Sequence, residues 1–158
     1  MFIKTRGKPE KLTNKMCKEA ARWYARKLLS DKLYKNIELL IDFKDEDVSN
    51  DLLGFCFYHD DNNSPRKFTI SLSPKLNKKN ILTALAHEMV HLKQYAKGEL
   101  KDYVRAKSVK WKGQVYDEEK LDYWDHPWEI EAYGRERGLY VRYMEFQKQK
   151  QLLTNKHL

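Results

Sequence analysis

One segment, Ile81–Ala96, constrains the fold of this chain more than any other. If this segment is a helix, its apolar residues lie on nearly all sides of that helix, and Gly98 follows the segment as a stop signal. The preceding residues, Ser73–Asn77, provide a break and then an N-cap. Because a helix that is apolar on nearly all sides is a buried one, the sequence predicts that the rest of the chain encloses this helix.

Length and composition indicate one domain with one core. The 158 residues have a mass of 19.0 kDa, which leaves little room for a second domain, so we assign residues 1–158 to a single domain. The mean hydropathy of −0.84 describes a very polar chain, but 10 Tyr, 6 Phe and 4 Trp exclude a wholly disordered one. Cys17 and Cys56 form no CxxC pair, which argues against a disulfide scaffold or a thiolate zinc site.

The sequence predicts no membrane partner. No stretch approaches the roughly 18 uncharged apolar residues that a membrane span needs. The segment Met1–Arg6 lacks the apolar core of a signal peptide. We therefore expect a cytoplasmic protein.

The chain before the buried helix predicts one helix and three strands. Lys11–Ser30 carries apolar residues at three- and four-residue spacing with Lys and Arg between them, which is typical of an amphipathic helix. Strands are predicted at Asn36–Phe43, Leu52–His59 and Lys67–Leu72, and the turn Asp60–Pro65 separates the second from the third. We expect these strands to form one small antiparallel sheet, whose strand order the pattern leaves open.

The chain after the buried helix predicts a long loop and a last helix. Lys101–Trp124 is irregular with scattered aromatic residues, and we interpret it as a long loop that contains at most a short hairpin. A helix begins at Asp125–Pro127, with proline in its first turn, and runs through Arg142 toward Lys150. Residues 146–158 are predicted to be a polar, frayed tail. The predicted fold class is therefore α+β.

The buried helix contains the HExxH pattern. A spacing of four residues places His87 and His91 one turn apart on one helical face, where both imidazoles can reach one zinc ion. Glu88 lies about 100° further round the helix, beside the site, where a carboxylate can act as general base toward a zinc-bound water. The flanking residues are uncharged, so these three polar groups would be buried without partners in the absence of a metal.

A zinc site of this kind needs a third protein ligand. No histidine follows His91 closely, so this ligand comes from another element. The acidic start of the last helix supplies the best candidates, with Glu129 as the first choice and Glu131 as the alternative. Asp125 and His126 are weaker candidates. His126 precedes a proline, and a histidine in this position is more often a turn residue.

The segment Ile81–Gln94 resembles the active-site helix of the gluzincin zinc metallopeptidases. The chain is similar to small SprT-like and related metallopeptidases, many of them encoded by bacterial viruses, and the similarity covers about residues 36–145. This resemblance implies a zincin-like fold, zinc as cofactor and hydrolysis of peptide bonds. For a virus-encoded protein, it also implies action in the cytoplasm of the host cell.

The resemblance also implies roles for single residues. His87 and His91 correspond to zinc ligands and Glu88 to the general base, while Glu129 corresponds to the third ligand because Glu129–Ala132 is similar to the E-x-x-A element of related families. Tyr133 departs from that element, where Asp or Asn is common. The cysteine-rich zinc ribbon that some SprT-like proteins carry is absent from the sequence.

A protein or peptide substrate is expected on the same grounds. Zincins bind an extended peptide along the sheet edge that precedes the catalytic helix. In this chain that strand is predicted to comprise Lys67, Phe68, Thr69, Ile70, Ser71 and Leu72. A second donor to the oxyanion is expected beside the metal, and the candidates are Tyr116, Tyr123 and Tyr133.

The charge of the chain supports an alternative function. Lys and Arg number 31 against 23 Asp and Glu, which gives a net charge of +8. Lys101–Lys112 holds five bases and one acid with two aromatic residues interleaved, a pattern that can contact DNA. Asp117–Glu131 holds seven acids and one base and is typical of a site that gathers cations. The alternative is a nucleic-acid-associated binding protein with a structural or degenerate zinc site.

Overall fold

The computed structural model describes residues 1–44, 53–60, 63–103 and 107–155. In these ranges the chain forms four helices and two small sheets, which confirms the predicted α+β class. None of the described helices combines the length and the apolar character needed to cross a membrane. Leu52, the predicted first residue of the second strand, lies outside the described residues, as do parts of the predicted turn, loop and tail.

The N-terminal part of the chain forms two helices rather than one. Helix α1 (Asn14–Leu28) is capped by Thr13, whose Oγ1 accepts a hydrogen bond from an amide of the first turn at 3.2 Å. Helix α2 (Asp31–Asn36) is capped in the same way by Ser30. Each cap satisfies an amide that has no partner within its helix. The predicted single helix Lys11–Ser30 is therefore too long at both ends and is followed by a second helix.

The larger sheet has four strands, namely β1 (Phe2–Arg6), β2 (Glu38–Phe43), β3 (Gly54–Tyr58) and β4 (Lys67–Leu72), in the order β1-β2-β4-β3. Strands β1 and β4 run parallel to β2, whereas β3 runs antiparallel to β4. The prediction of a three-stranded antiparallel sheet is therefore wrong. Helices α1 and α2 carry the chain from the end of β1 back to the start of β2, and a crossover of this kind makes two strands parallel.

Strand β4 lies inside this sheet. Ile70 of β4 pairs with Ile41 of β2 on one side and with Cys56 of β3 on the other. Both backbone edges of β4 are used, so the prediction that Lys67–Leu72 is a free edge for substrate is wrong. Within the described ranges, β3 pairs only with β4 and forms the edge of the sheet on that side.

The predicted buried helix is confirmed as α3 (Lys78–Ala96). Asn77 caps it by accepting a hydrogen bond from the Asn80 amide at 2.9 Å, and Gly98 follows its end with a φ of +68°. Helix α3 contacts β3, β4 and α1. Its apolar side chains are almost wholly excluded from solvent, so α3 forms the centre of the core.

The predicted long loop Lys101–Trp124 is largely folded. Strands β5 (Leu100–Tyr103), β6 (Ser108–Trp111) and β7 (Gln114–Asp117) form an antiparallel sheet, and a 3₁₀ turn follows at Tyr123–Asp125. The inner side chains of this sheet form a small second core with a residue of the last helix, comprising Leu100, Val109, Trp111 and Trp128. This contact distant in sequence is the physical reason why the segment is a sheet.

The last helix, α4 (Pro127–Asn155), begins with the predicted proline and packs against α3 and α1. Ala132 and Tyr143 of α4 are buried in the main core. Residues 146–155, predicted as a frayed tail, continue the helix with mostly exposed side chains. The prediction of a tail is wrong for these residues, while residues 156–158 lie outside the described part of the chain.

Candidate metal centre

His87, His91 and Glu129 meet between α3 and α4. The Nε2 atoms of the two histidines are 3.1 Å apart. Glu129 Oε2 lies 3.3 Å from His87 Nε2, and Glu129 Oε1 lies 3.4 Å from His91 Nε2. Donor atoms bound tetrahedrally at about 2.0–2.1 Å lie about 3.3 Å from one another. The three side chains are therefore spaced as ligands of one small cation, and this buried group can hold a metal ion.

Gln94 fixes the orientation of His91. The Nε2 group of Gln94 donates to the carbonyl of Trp128 at 2.9 Å and to Glu131 Oε2 at 3.0 Å, which identifies the other amide atom as the oxygen. That oxygen lies 2.9 Å from His91 Nδ1 and accepts its proton in a hydrogen bond. With the proton on Nδ1, the lone pair of His91 Nε2 is available to a metal.

Glu136 fixes the orientation of His87. Its Oε2 lies 2.8 Å from His87 Nδ1, and its side chain is 21% exposed. Glu136 follows Glu129 by two turns of α4, so both carboxylates face α3. Neither Glu136 nor Gln94 is among the residues predicted from the sequence, although Gln94 follows His91 by three residues and lies on the same helical face.

Burial and close opposite charges shift the pKa values of the candidate ligands in opposite directions. Burial alone lowers the pKa of His87, but hydrogen bonds with Glu129 and Glu136 raise it to about 9. Burial raises the pKa of Glu129, but hydrogen bonds with His87 and His91 hold this pKa well below its usual range. Glu129 is thus a carboxylate facing positive charge, and a metal ion competes with protons for the same imidazole nitrogens.

Glu88 lies beside the two histidines, against strand β3. It is 5% exposed, and burial raises its pKa although His91 and His87 lower it. Its carboxylate has no hydrogen-bond partner among the described residues. A Cβ atom at Gly54 would lie 3.0 Å from Glu88 Cγ and 3.1 Å from Glu88 Oε1. The carboxylate therefore occupies space that exists because residue 54 has no side chain.

Glu131, the alternative third ligand, has a different role. It accepts hydrogen bonds from Lys93 Nζ at 2.8 Å and from Arg135 Nε at 3.1 Å. Lys93 is only 4% exposed and also pairs with Glu99 at 2.7 Å. Burial raises the pKa of Glu131, but hydrogen bonds with Lys93 and Gln94 lower it to about 2. Of the two predicted carboxylates, the structure brings Glu129 to the histidines, while Glu131 neutralises a buried lysine.

The three candidate tyrosines are divided between the site and the packing around it. The Tyr123 hydroxyl donates to Glu129 Oε2 at 2.9 Å and lies 3.5 Å from the Tyr133 hydroxyl. The Tyr133 ring packs edge-on against His87, with ring centroids 4.6 Å apart. Tyr116 instead packs against Trp128 of the second core. Tyr123 therefore positions a candidate ligand, and Tyr133 stays the predicted donor to an oxyanion.

The two weaker ligand candidates lie outside the metal group. His126 stacks on Trp128, with ring centroids 4.6 Å apart, directly before the first residue of α4. Asp125 is the last residue of the 3₁₀ turn. Neither belongs to the group of ligand atoms that the described structure brings together.

The metal group opens into a cleft of about 700 Å³. Strand β3 contributes Gly54, Phe55 and Cys56 to one wall, and the second core contributes part of another. The cleft therefore lies between the edge strand of the large sheet and the small sheet, with the candidate ligands and Glu88 at its base.

The basic stretch Lys101–Lys112 lies on the small sheet. Lys107 pairs with Glu119 at 2.7 Å, and Lys112 Nζ lies 4.7 Å from the centre of the Trp111 ring. Residues 104–106 lie outside the described ranges. Contact of this stretch with DNA stays a prediction.

Comparisons with known proteins assign no family to this chain. No protein-family model, no curated protein and no solved structure matches it. The geometry of the site is therefore the basis for assigning its function.

Proposed function

We propose that the protein is a zinc-dependent peptidase in which His87, His91 and Glu129 hold the zinc ion and Glu88 is the general base. The observation that carries this proposal is the convergence of three donor atoms beside a buried carboxylate that has no partner in the described structure. Two imidazoles and one carboxylate are the donor set of many catalytic zinc sites, whereas structural zinc sites have four protein ligands. Within the described ranges, three residues form the group.

Glu88 is suited to proton transfer in peptide hydrolysis. Zinc, when bound, would polarise a peptide carbonyl and lower the pKa of a water molecule. Because burial raises the pKa of Glu88, its carboxylate is a stronger base than a solvated glutamate. It can take a proton from the attacking water and pass it to the leaving amine. A purely structural metal site has no need of a free carboxylate at this position.

Strand β3 is the proposed binding strand for an extended peptide. An edge strand offers unpaired backbone N–H and C=O groups to which a peptide can add. Residues of β3 line the cleft, and the described part of the chain covers only one of its two edges. This assignment replaces the internal strand Lys67–Leu72 of the sequence prediction.

Metal content and hydrolysis together test this function. We expect the tag-free protein to contain about one zinc per chain by elemental mass spectrometry. Glu88→Gln should retain zinc and lose hydrolysis of an unfolded protein such as casein by at least about 100-fold. Glu145→Gln, which changes an exposed glutamate of α4, is the matched control and should behave as the wild type. Absence of zinc binding, or full hydrolysis by Glu88→Gln, would overturn the proposal.

A further inference from the structure

Most of the net positive charge of the protein lies in one N-terminal region. Residues 8–35 contain nine Lys or Arg and three Asp or Glu, a net charge of +6 in a chain whose total is +8. This region comprises α1, α2 and the residues just before them. None of it is among the described residues that line the cleft. The charge therefore marks a second surface that the proposed peptidase reaction does not use.

Four cations form a row along the outer face of α1. Lys15, Lys18, Arg22 and Arg26 follow one another at spacings of three, four and four residues, which places them on one helical face. At about 1.5 Å per residue, the row is about 16 Å long. Lys15, Arg22 and Arg26 are exposed and Lys18 is half-buried. The opposite face is buried in the core, so the row is held on a fixed support.

This row has no acidic partners in the described structure. None of the four side chains forms an ion pair there, and the one acid of α1, Glu19, faces Lys150 of α4 at 3.8 Å. Like charges three or four residues apart on a helix repel one another and weaken it by a few tenths of a kcal/mol per pair. An external polyanion would relieve this repulsion.

We propose that this outer face of α1 binds the phosphate backbone of double-stranded nucleic acid without regard to sequence. Duplex DNA carries about one negative charge per 1.7 Å of its axis, so about nine phosphates lie along the length of the row, more than enough to pair with its four cations. The nearby aromatic rings are covered by cations of α1: Lys27 lies 5.2 Å from the ring of Trp23 in the same helix, and Arg26 lies 4.2 Å from the ring of Tyr34 in α2. The face therefore offers charge to phosphates and no bare ring on which a base can stack.

The apolar side of α1 favours nucleic acid over an anionic membrane. A helix that lies on a membrane inserts apolar residues between the lipids. In α1 the apolar residues Cys17, Ala21, Tyr24 and Leu28 are buried against the rest of the fold. They cannot reach lipid while the domain is folded, so the exposed face can contact an anionic partner only through its charged side chains.

Salt-dependent binding to a fluorescent duplex tests this proposal. For four phosphate contacts, a plot of log K against log salt concentration should have a slope of about −4, and two unrelated duplex sequences should bind equally. The triple variant Lys15→Gln/Lys18→Gln/Arg22→Gln should make the slope shallower by about 3 and lower the affinity at low salt at least about tenfold. Glutamine has a helix propensity close to that of Lys and Arg, so α1 should persist, which circular dichroism checks.

The matched control removes three lysines from the small sheet, in the variant Lys101→Gln/Lys110→Gln/Lys112→Gln. It changes the net charge by the same amount and should retain the wild-type slope and affinity. Single variants at Lys15 and Arg22, each expected to change the slope by about 1, keep the test valid if the triple variant unfolds. Equal losses in both triple variants, an unchanged slope in the α1 variant, or binding to phosphatidylserine vesicles but not to the duplex would overturn the proposal. Loss of peptidase activity would not affect it, because the two surfaces share no described residue.

Discussion

The Nδ1 atom of His87 lies 2.8 Å from Oε2 of Glu136, two turns beyond Glu129 in the same helix. Helix α4 therefore supplies both a candidate ligand and the carboxylate that orients a second one. Because α3 carries the two histidines, the geometry of the site depends on the packing of α4 against α3. This packing is among the most extensive between any two described elements.

Removal of the Glu136 carboxylate should weaken metal binding. The partners behind a ligating histidine typically contribute 10- to 100-fold to metal affinity, so Glu136→Ala should lower zinc affinity by about that factor. Glu136→Gln should retain most of the affinity, because its amide oxygen can still accept the proton of His87 Nδ1. Competition with a chromophoric chelator measures both effects. An alanine variant with wild-type affinity would contradict the orienting role.

Glu129 and Glu131 should be separable by metal content and stability. Glu129→Ala removes a donor atom and should lose most of the bound metal. Glu131→Ala should retain the metal but lower the free energy of unfolding by about 2 kcal/mol, because the buried Lys93 then has only Glu99 as its acidic partner. Elemental analysis and urea unfolding followed by circular dichroism measure the two effects. The opposite pattern would make Glu131 the ligand.

Gly54→Ala should disturb the general base without removing the metal. The added Cβ would lie 2.8 Å from Leu72 Cδ2 and 3.0 Å from Glu88 Cγ. We expect destabilisation by about 1–3 kcal/mol and a large loss of hydrolysis with zinc retained, because Glu88 must move away from β3.

Gly138→Ala is the matched control for Gly54→Ala. Apart from its chain neighbours and the backbone of its own helix, no described atom lies within 4 Å of a Cβ placed at Gly138 in α4. This substitution should stabilise the protein by up to about 1 kcal/mol, because alanine has the higher helix propensity. Hydrolysis by Gly54→Ala at the wild-type rate would show that the contact with Glu88 is irrelevant to the reaction.

The features that could be predicted from the sequence are those encoded locally. The HExxH spacing defines one face of a helix whatever surrounds it, and the proline at residue 127 marks a helix start by its own geometry. Strand β1 could not be predicted from its own five residues, Phe2–Arg6, because they form a strand through their pairing with β2. The same holds for β5 to β7, whose inner side chains are buried by Trp128.

The ligand set shows the same limit. The acidic pattern after Pro127 predicted two carboxylates as candidates for the third ligand. The choice between them depends on Lys93, a buried cation of α3 that forms a hydrogen bond with Glu131. The basic segment Lys101–Lys112 stands out in the sequence by its density of Lys and Arg, whereas the row on α1 stands out once residues are placed on helical faces. The choice between the two carboxylates, by contrast, depends on a contact between elements distant in sequence.

The ion pair between Arg6 and Asp42 should make stability depend on pH. Arg6 Nε donates to Asp42 Oδ1 at 2.8 Å, and a second guanidinium nitrogen contacts the other oxygen of this carboxylate. The hydrogen bond with Arg6 lowers the pKa of Asp42 below its usual value of about 4. Because the pKa is lower in the folded state, the stabilisation is fully present above about pH 4 and is lost as the pH falls through the folded-state pKa.

Asp42→Asn should therefore lower the free energy of unfolding at neutral pH and have a smaller effect at about pH 3, measured by urea unfolding. The wild type and Asp42→Asn share all other titrating groups. A difference between their free energies of unfolding that stays constant with pH would therefore contradict the ion pair.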